Sequence, residues 1–171
     1  RHGVEVRTNS LVESYEELDG QVTGVTLAIG TVVPADVVVV GVGAVPNAEL
    51  ALVADLPVAD GVVTDASLHV GQDVYAAGDV ASAFHPVLGR HLRVEHWANA
   101  QRQGRAAARS MLGMDVSYDR VPYFYTDQYE LGMECCGYSD LLGDARLVYR
   151  GSRGEPGSGE FLAFWVIGPD S

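Results

Sequence analysis

Chemistry in this 171-residue sequence concentrates in three places where glycine, an acid or a helix start follows an apolar run. The first is Val74-Tyr75-Ala76-Ala77-Gly78-Asp79, which closes a stretch that opens at Thr64. Gly78 permits close approach of a ligand to the backbone, and the Asp79 carboxylate at a strand end can accept hydrogen bonds from sugar or ribityl hydroxyls. The same aspartate could instead cap the segment that follows, and the pattern leaves both readings open. The second place is Glu95-His96-Trp97, at the start of an alanine-rich helical pattern. Backbone N–H groups at a helix start attract negative charge. The third is Gly41-Val42-Gly43, at the exit of a valine run. It resembles a nucleotide-binding turn only superficially, because Pro46 stands where a third glycine is needed and only 47–54 could be helical.

Other candidates carry less. Cys135 and Cys136 are the only cysteines, so a disulfide framework and a zinc site of repeated C-x-x-C type are excluded. Adjacent residues of a strand point to opposite faces, and the pair is expected as buried structural thiols. No metal site and no protein acid or base for catalysis stands out.

The elements expected to position these residues begin with a β-meander over 4–6, 12–18 and 22–27, with Asp19-Gly20 as a turn. The β-branched run over 35–43 is expected as a strand buried on both faces. Short strands follow over 61–64 and 73–80, the latter ending at Gly78 and Asp79. A helix is expected from about 95 to 112, with Glu95 in its first turn and Gly113 as its stop. Strands over 128–137, 145–150 and 160–167 come after residues 118–125, with a Gly/Ser/Pro-rich loop at 151–159. The meander lacks its own beginning, Arg1 is not Met, and the last sheet looks unfinished, so the sequence is expected to start inside a larger protein.

Composition sets the outer bounds. Net charge is −12, with 11 Arg plus Lys against 23 acids, which argues against nucleic acid as a partner. The net negative charge is concentrated in the first half, where residues 1–80 hold 12 acids against 2 Arg, whereas residues 81–171 hold 11 acids against 9 Arg, with Arg90, Arg93, Arg102, Arg105 and Arg109 clustered. That cluster is either a solvated helix face or a docking patch for an acidic protein. No apolar run has the length of a membrane span and no signal-peptide pattern opens the chain, so a cytoplasmic location is expected.

Four segments, in this order and spacing, resemble the flavoprotein reductases with two dinucleotide-binding domains. Gly41-Val42-Gly43-Ala44-Val45-Pro46-Asn47 resembles the crossing from the NAD domain back to the FAD domain. Thr64 to Asp79 resembles the second FAD motif, Arg93-Val94-Glu95-His96-Trp97-Ala98-Asn99-Ala100 the flavin-proximal helix start, and Pro122-Tyr123-Phe124-Tyr125-Thr126-Asp127-Gln128-Tyr129 the opening of the C-terminal domain. Within the pyridine nucleotide-disulfide oxidoreductase superfamily the match is to ferredoxin, rubredoxin and putidaredoxin reductases. Glu-His-Trp stands where disulfide reductases carry a His-Pro-Thr helix start, and no histidine follows His96. His85-Pro86 lies in the wrong place for thiol chemistry, on a loop after Asp79.

The resemblance implies α/β and α+β architecture: the end of a glutathione-reductase-like flavoprotein plus part of a C-terminal reductase domain. Residues 1–45 would close the NAD(P) domain, 46–114 the FAD domain, and 115–171 would open the C-terminal domain. It implies FAD and NAD(P)H as cofactors and a ferredoxin-type iron–sulfur protein as partner. Cofactor contacts would come from Gly41, Val42, Gly43, Gly78, Asp79, Glu95, His96, Trp97 and Tyr125, with Asp79 on the ribityl chain, Glu95 facing the nicotinamide carboxamide, and His96 and Trp97 nearest the flavin ring. Tyr125 would form part of the flavin wall, although the family often has Trp there. Neither G-x-G-x-x-G loop is present, so the chain alone is expected to bind FAD weakly and to be inactive. A non-catalytic interaction or remnant domain is the alternative.

Overall fold

The structure is a computed structural model that describes residues 3–138, 143, 145–152, 154 and 159–168. The chain divides into two compact units, Arg1–Ala44 and Val45–Ser171. In the first, β1 (Val12–Leu18) and β2 (Gln21–Leu27) pair antiparallel, and β3 (Val32–Pro34) adds to the other edge of β2. Asp19 and Gly20, with φ of 54° and 77°, supply the doubly left-handed two-residue turn whose twist suits a hairpin. Residues 4–6, expected as a strand, join no ladder.

The valine run departs further from expectation. Residues 35–43 form no strand, and Val37, Val39 and Val42 are 77%, 90% and 90% exposed. A strand of this kind is held by neighbours on both edges and both faces. Among the described residues no strand pairs with it.

The second unit begins with α1 (Glu49–Val53), β4 (Val58–Ala59), β5 (Gly61–Thr64) and β6 (His69–Gly71). Next come β7 (Val74–Tyr75), a 3-10 turn (Gly78–Val80), β8 (Ala81–His85), β9 (Arg90–Arg93) and α2 (Trp97–Met111). A four-stranded sheet has the order β4-β5-β8-β9, in which only β5 and β8 run parallel. The strand expected over 73–80 is therefore two residues long. Gln72 and Asp73 both take positive φ to turn β6 into β7, and Gly78 at φ +80° bends the chain again. The longer strand comes after the acid, at β8.

Helix α2 begins two residues later than expected, so Glu95 lies outside its first turn, and the N-cap is His96. Its end is as expected. Gly113 at φ +73° donates to the Ser110 carbonyl at 2.9 Å, and Met114 donates to that of Arg109 at 3.1 Å, a Schellman arrangement. The buried face of α2 carries Asn99, Gln103 and Ala107, one turn apart. Ala107 packs with Leu68, Ala83 and Tyr118, and a second cluster joins Ala48, Ala51 and Val62. Each cluster contains two alanines, which lets helix and sheet lie close together at those points.

Two hairpins complete the unit: β10 (Tyr123–Gln128) with β11 (Leu131–Cys136), and β12 (Arg146–Gly151) with β13 (Phe161–Val166). Residue 128, expected to open a strand, instead ends β10, and Tyr129 at φ +57° with Glu130 makes the turn. Cys135 and Cys136 are exposed, not buried. Every position of β11 is exposed, because the ladder is two strands wide and no described layer covers it. The expected loop over 151–159 falls largely outside the described residues.

Candidate functional site

The Gly78 turn is built against α2. The Gln103 side chain, 2% exposed, accepts a hydrogen bond from the Gly78 N–H at 2.8 Å. A Cβ at Gly78 would stand 3.3 Å from the Ala100 Cβ, on a backbone conformation that side chains disfavour. The next residue, Asp79, is exposed, and no side chain caps the 3-10 turn. The capping reading of Asp79 therefore fails, and its carboxylate is left for solvent or a ligand.

Arg93 ties this turn to the helix start. Its Nε donates to Asp60 Oδ1 at 2.7 Å, while Nη1 reaches the Asp79 carbonyl at 3.3 Å and pairs with Glu95. The Glu95 hydrogen bond and then that of Asp60 push the guanidinium above its ordinary range. Glu95 is drawn toward Arg93 rather than onto the helix dipole, which accounts for its place before the N-cap. Replacing Arg93 by alanine should cost about 1 kcal/mol in urea unfolding, since the carboxylates are substantially solvated. Lysine should recover only part, because an ammonium lacks the planar fork that serves several acceptors.

At the helix start itself no side chain caps the free N–H groups. Asn99 Nδ2 instead donates to the Val94 carbonyl at 3.0 Å, and its Oδ1 accepts from the Tyr118 hydroxyl at 3.0 Å. Burial pushes the Tyr118 phenol up and keeps it a donor. His96 Nδ1 is buried without a hydrogen-bond partner, and the ring leans on Phe124 with centroids 5.2 Å apart. An orphaned polar atom of this kind beside unsatisfied backbone donors is what a polar, electron-rich ligand would complete. A cavity of about 510 Å³ opens here, lined by Glu95, His96, Phe124, Cys136, Tyr138 and Trp165 among others.

The structure thus gathers Glu95 and His96 on one cavity, and binds Glu95 to the Gly78–Asp79 turn through Arg93. It does not bring in Trp97 or Tyr125. Trp97 is 66% exposed, and Tyr125 is 52% exposed on a strand where its neighbour Phe124 takes the cavity side. Gly41, Val42 and Gly43 lie exposed in the first unit without regular structure. His85, expected on a loop, ends β8 at 4% exposure. Its Nδ1 accepts from Leu88 N–H at 3.4 Å and its Nε2 meets the Tyr138 hydroxyl at 3.1 Å. Sequence reading overlooked Gln103, and gave Asn99, within the quoted helix start, no role of its own. Two carboxamides four apart on the apolar face of an Ala-rich helix were the available signal.

The backbone turn, the free carboxylate and the uncapped helix start together suit a dinucleotide cofactor carrying a polyol and an electron-rich ring. Comparison with known proteins agrees. A family profile described as pyridine nucleotide-disulphide oxidoreductase matches residues 1–104, and the chain belongs to that family. The ferredoxin–NAD(+) reductase component of the anthranilate 1,2-dioxygenase system of Burkholderia cepacia is 40% identical over 80% of this chain and 32% of its own length. Rhodocoxin reductase of Rhodococcus erythropolis is 37% identical over 98% of this chain and 38% of its own. In fold, the chain superposes on putidaredoxin reductase, solved in covalent complex with putidaredoxin, with a TM-score of 0.84. Identity there is 34%, over 96% of this chain and 39% of that one. The architecture is that expected, the end of a fold with two dinucleotide-binding domains, and the chain spans about two fifths or less of the relatives it matches.

Proposed function

We propose that this chain is the flavin-side part of a cytoplasmic, FAD-dependent reductase that takes electrons from NAD(P)H and delivers them to a ferredoxin-type iron–sulfur protein. The observation that carries this reading is the coupling of the Gly78–Asp79 turn to the uncapped α2 start through Arg93 and Gln103. When bound, FAD supplies hydride acceptance and one-electron release, chemistry that needs no protein acid or base.

The residues have positioning roles. Asp79 accepts hydrogen bonds from ribityl hydroxyls, and Gly78 lets that chain lie against backbone. The N–H groups at the start of α2 and the His96 ring stabilise negative charge at the flavin's polar edge. Glu95, oriented by Arg93, faces the nicotinamide carboxamide. Trp97 and Tyr125 form outer walls of the flavin region, and Gly41, Val42 and Gly43 make the crossing between domains. Residues 1–45, 46–114 and 115–171 belong on this reading to the NAD(P), FAD and C-terminal domains, and the chain by itself is inactive.

The test is NAD(P)H oxidation by the full encoded polypeptide with ferricyanide and then with an iron–sulfur acceptor. Turnover with both supports the reading. If FAD binds but neither acceptor is reduced, the remnant-domain alternative stands instead.

A further inference from the structure

Tyr138, two residues beyond β11, meets the buried His85 at the end of β8: its hydroxyl lies 3.1 Å from Nε2, and the rings stand edge to face with centroids 5.3 Å apart. The direction of this hydrogen bond follows from the other ring nitrogen. Nδ1 accepts from the Leu88 N–H, so it carries no hydrogen, and the imidazole must hold its one proton on Nε2. Nε2 therefore donates and the Tyr138 oxygen accepts. That leaves the phenol's own hydrogen unused, since among the described residues the Tyr138 hydroxyl bonds to His85 alone. Burial and then nearby Asp119 push the phenol up, so it keeps that hydrogen.

Tyr138 lines the same cavity as His96, whose Nδ1 lacks a partner. Leu92, Val94, Pro122, Phe124 and Trp165 give that cavity a largely apolar wall. One open donor on such a wall selects a ligand that presents an acceptor there, because a donor covered without one costs its full desolvation. We propose that Tyr138, set by His85, donates a hydrogen bond to the ligand of this cavity. Resting on the reductase reading, the acceptor is a carbonyl oxygen at the polar edge of the flavin ring. Reduction adds negative charge to that edge, and a donor already in place there holds reduced FAD more tightly than oxidised FAD. Tyr138 touches the cofactor, whereas His85 is a positioning residue that acts through it.

The full encoded polypeptide, loaded with FAD, would be titrated spectrophotometrically against reference redox dyes. Tyr138→Phe should lower the preference for reduced over oxidised FAD about tenfold, which is about 30 mV in the two-electron potential. Its flavin carbonyl band in the infrared should move to higher frequency. His85→Asn keeps an acceptor for Leu88 but is too short to reach Tyr138, and should show an intermediate shift of both. His85→Gln, whose longer amide donates to the phenol, should restore the parental values. Circular dichroism and urea unfolding confirm that each variant is folded, and if Tyr138→Phe is not, the His85→Asn and His85→Gln pair carries the comparison. Parental potential and carbonyl band in folded Tyr138→Phe and His85→Asn would overturn the proposal, whatever their stability. A wild type that holds FAD but is not bleached by NAD(P)H would refute the reductase reading and leave the potential and infrared shifts to decide this one. A wild type that holds no FAD would refute both.

Discussion

Asp79→Ala should weaken FAD binding about 100-fold while leaving unfolding stability within roughly 0.5 kcal/mol of the parent. The first half follows from charge-assisted hydrogen bonds. A carboxylate that accepts two ligand hydroxyls contributes about 1.5 kcal/mol or more through each, and every 1.4 kcal/mol is tenfold in Kd. The second half follows from the structure. Asp79 is exposed, its side chain caps no turn, and the only bond it gives Arg93 comes from its main-chain carbonyl. Asp79→Asn should fall between, since an amide oxygen still accepts but carries no charge. Flavin fluorescence during dialysis of the full encoded polypeptide, read beside urea unfolding, checks both halves. A stability loss with unaltered flavin affinity would restore the capping role that the structure removes.

Gly61→Ala should have a different signature, a loss of about 3 kcal/mol in stability, with the flavin site disturbed through Arg93 and the Gly78–Val80 turn that Gly61 abuts. Gly61 opens β5 at φ +87°, a conformation that costs an L-residue roughly 1–2 kcal/mol. Its absent Cβ would stand 2.5 Å from the Val80 carbonyl oxygen and 2.9 Å from the Arg93 Cδ. The first of these is backbone of the Gly78–Val80 turn, so it cannot swing aside as a side chain would. Relief requires β5 to part from the residues that lead into β8, against the parallel pairing of Val62 with Ala81. Thermal unfolding of the purified variant measures the loss. A Gly61→Ala protein as stable as its parent would contradict the close approach described.

What the sequence made legible was governed by local rules. The β1–β2 hairpin carries Asp-Gly at its turn between two β-rich runs, and α2 has a strong alanine-rich period with a glycine stop, so both were readable. The central parallel strand was not. Ala81-Ser82-Ala83-Phe84-His85 contains small and polar residues that are buried because α2 and β5 lie close, a fact of tertiary packing with no hydrophobic signature. The valine run over 35–43 failed in the other direction. Its β-branched composition is unmistakable, yet strand formation needs partners that the described residues do not provide.

The candidate site divides in the same way. Gly78, Asp79, Glu95 and His96 were found because glycine, acid and helix start are local signals. Their connection was hidden, because Arg93 and Gln103 act across gaps of fourteen and twenty-five residues, through a guanidinium fork and a buried carboxamide. Tyr125 and Trp97 were placed by the resemblance. Which face of β10 meets the cavity depends on register with β11, where Tyr125 stands opposite Glu134 and Phe124 opposite Cys135. The two cysteines were misjudged for a related reason: alternation predicts opposite faces, but burial depends on a covering layer.

The most direct measurement is the visible spectrum of the desalted protein, taken on the chain alone and on the full encoded polypeptide, with anaerobic addition of NAD(P)H. The full polypeptide should retain FAD stoichiometrically and bleach on addition of NAD(P)H, whereas the chain alone, lacking both glycine-rich pyrophosphate loops, should be colourless. A full polypeptide that holds no flavin after reconstitution, or holds it without bleaching, would contradict the proposed function. A stoichiometric yellow chain would contradict its dependence on those loops.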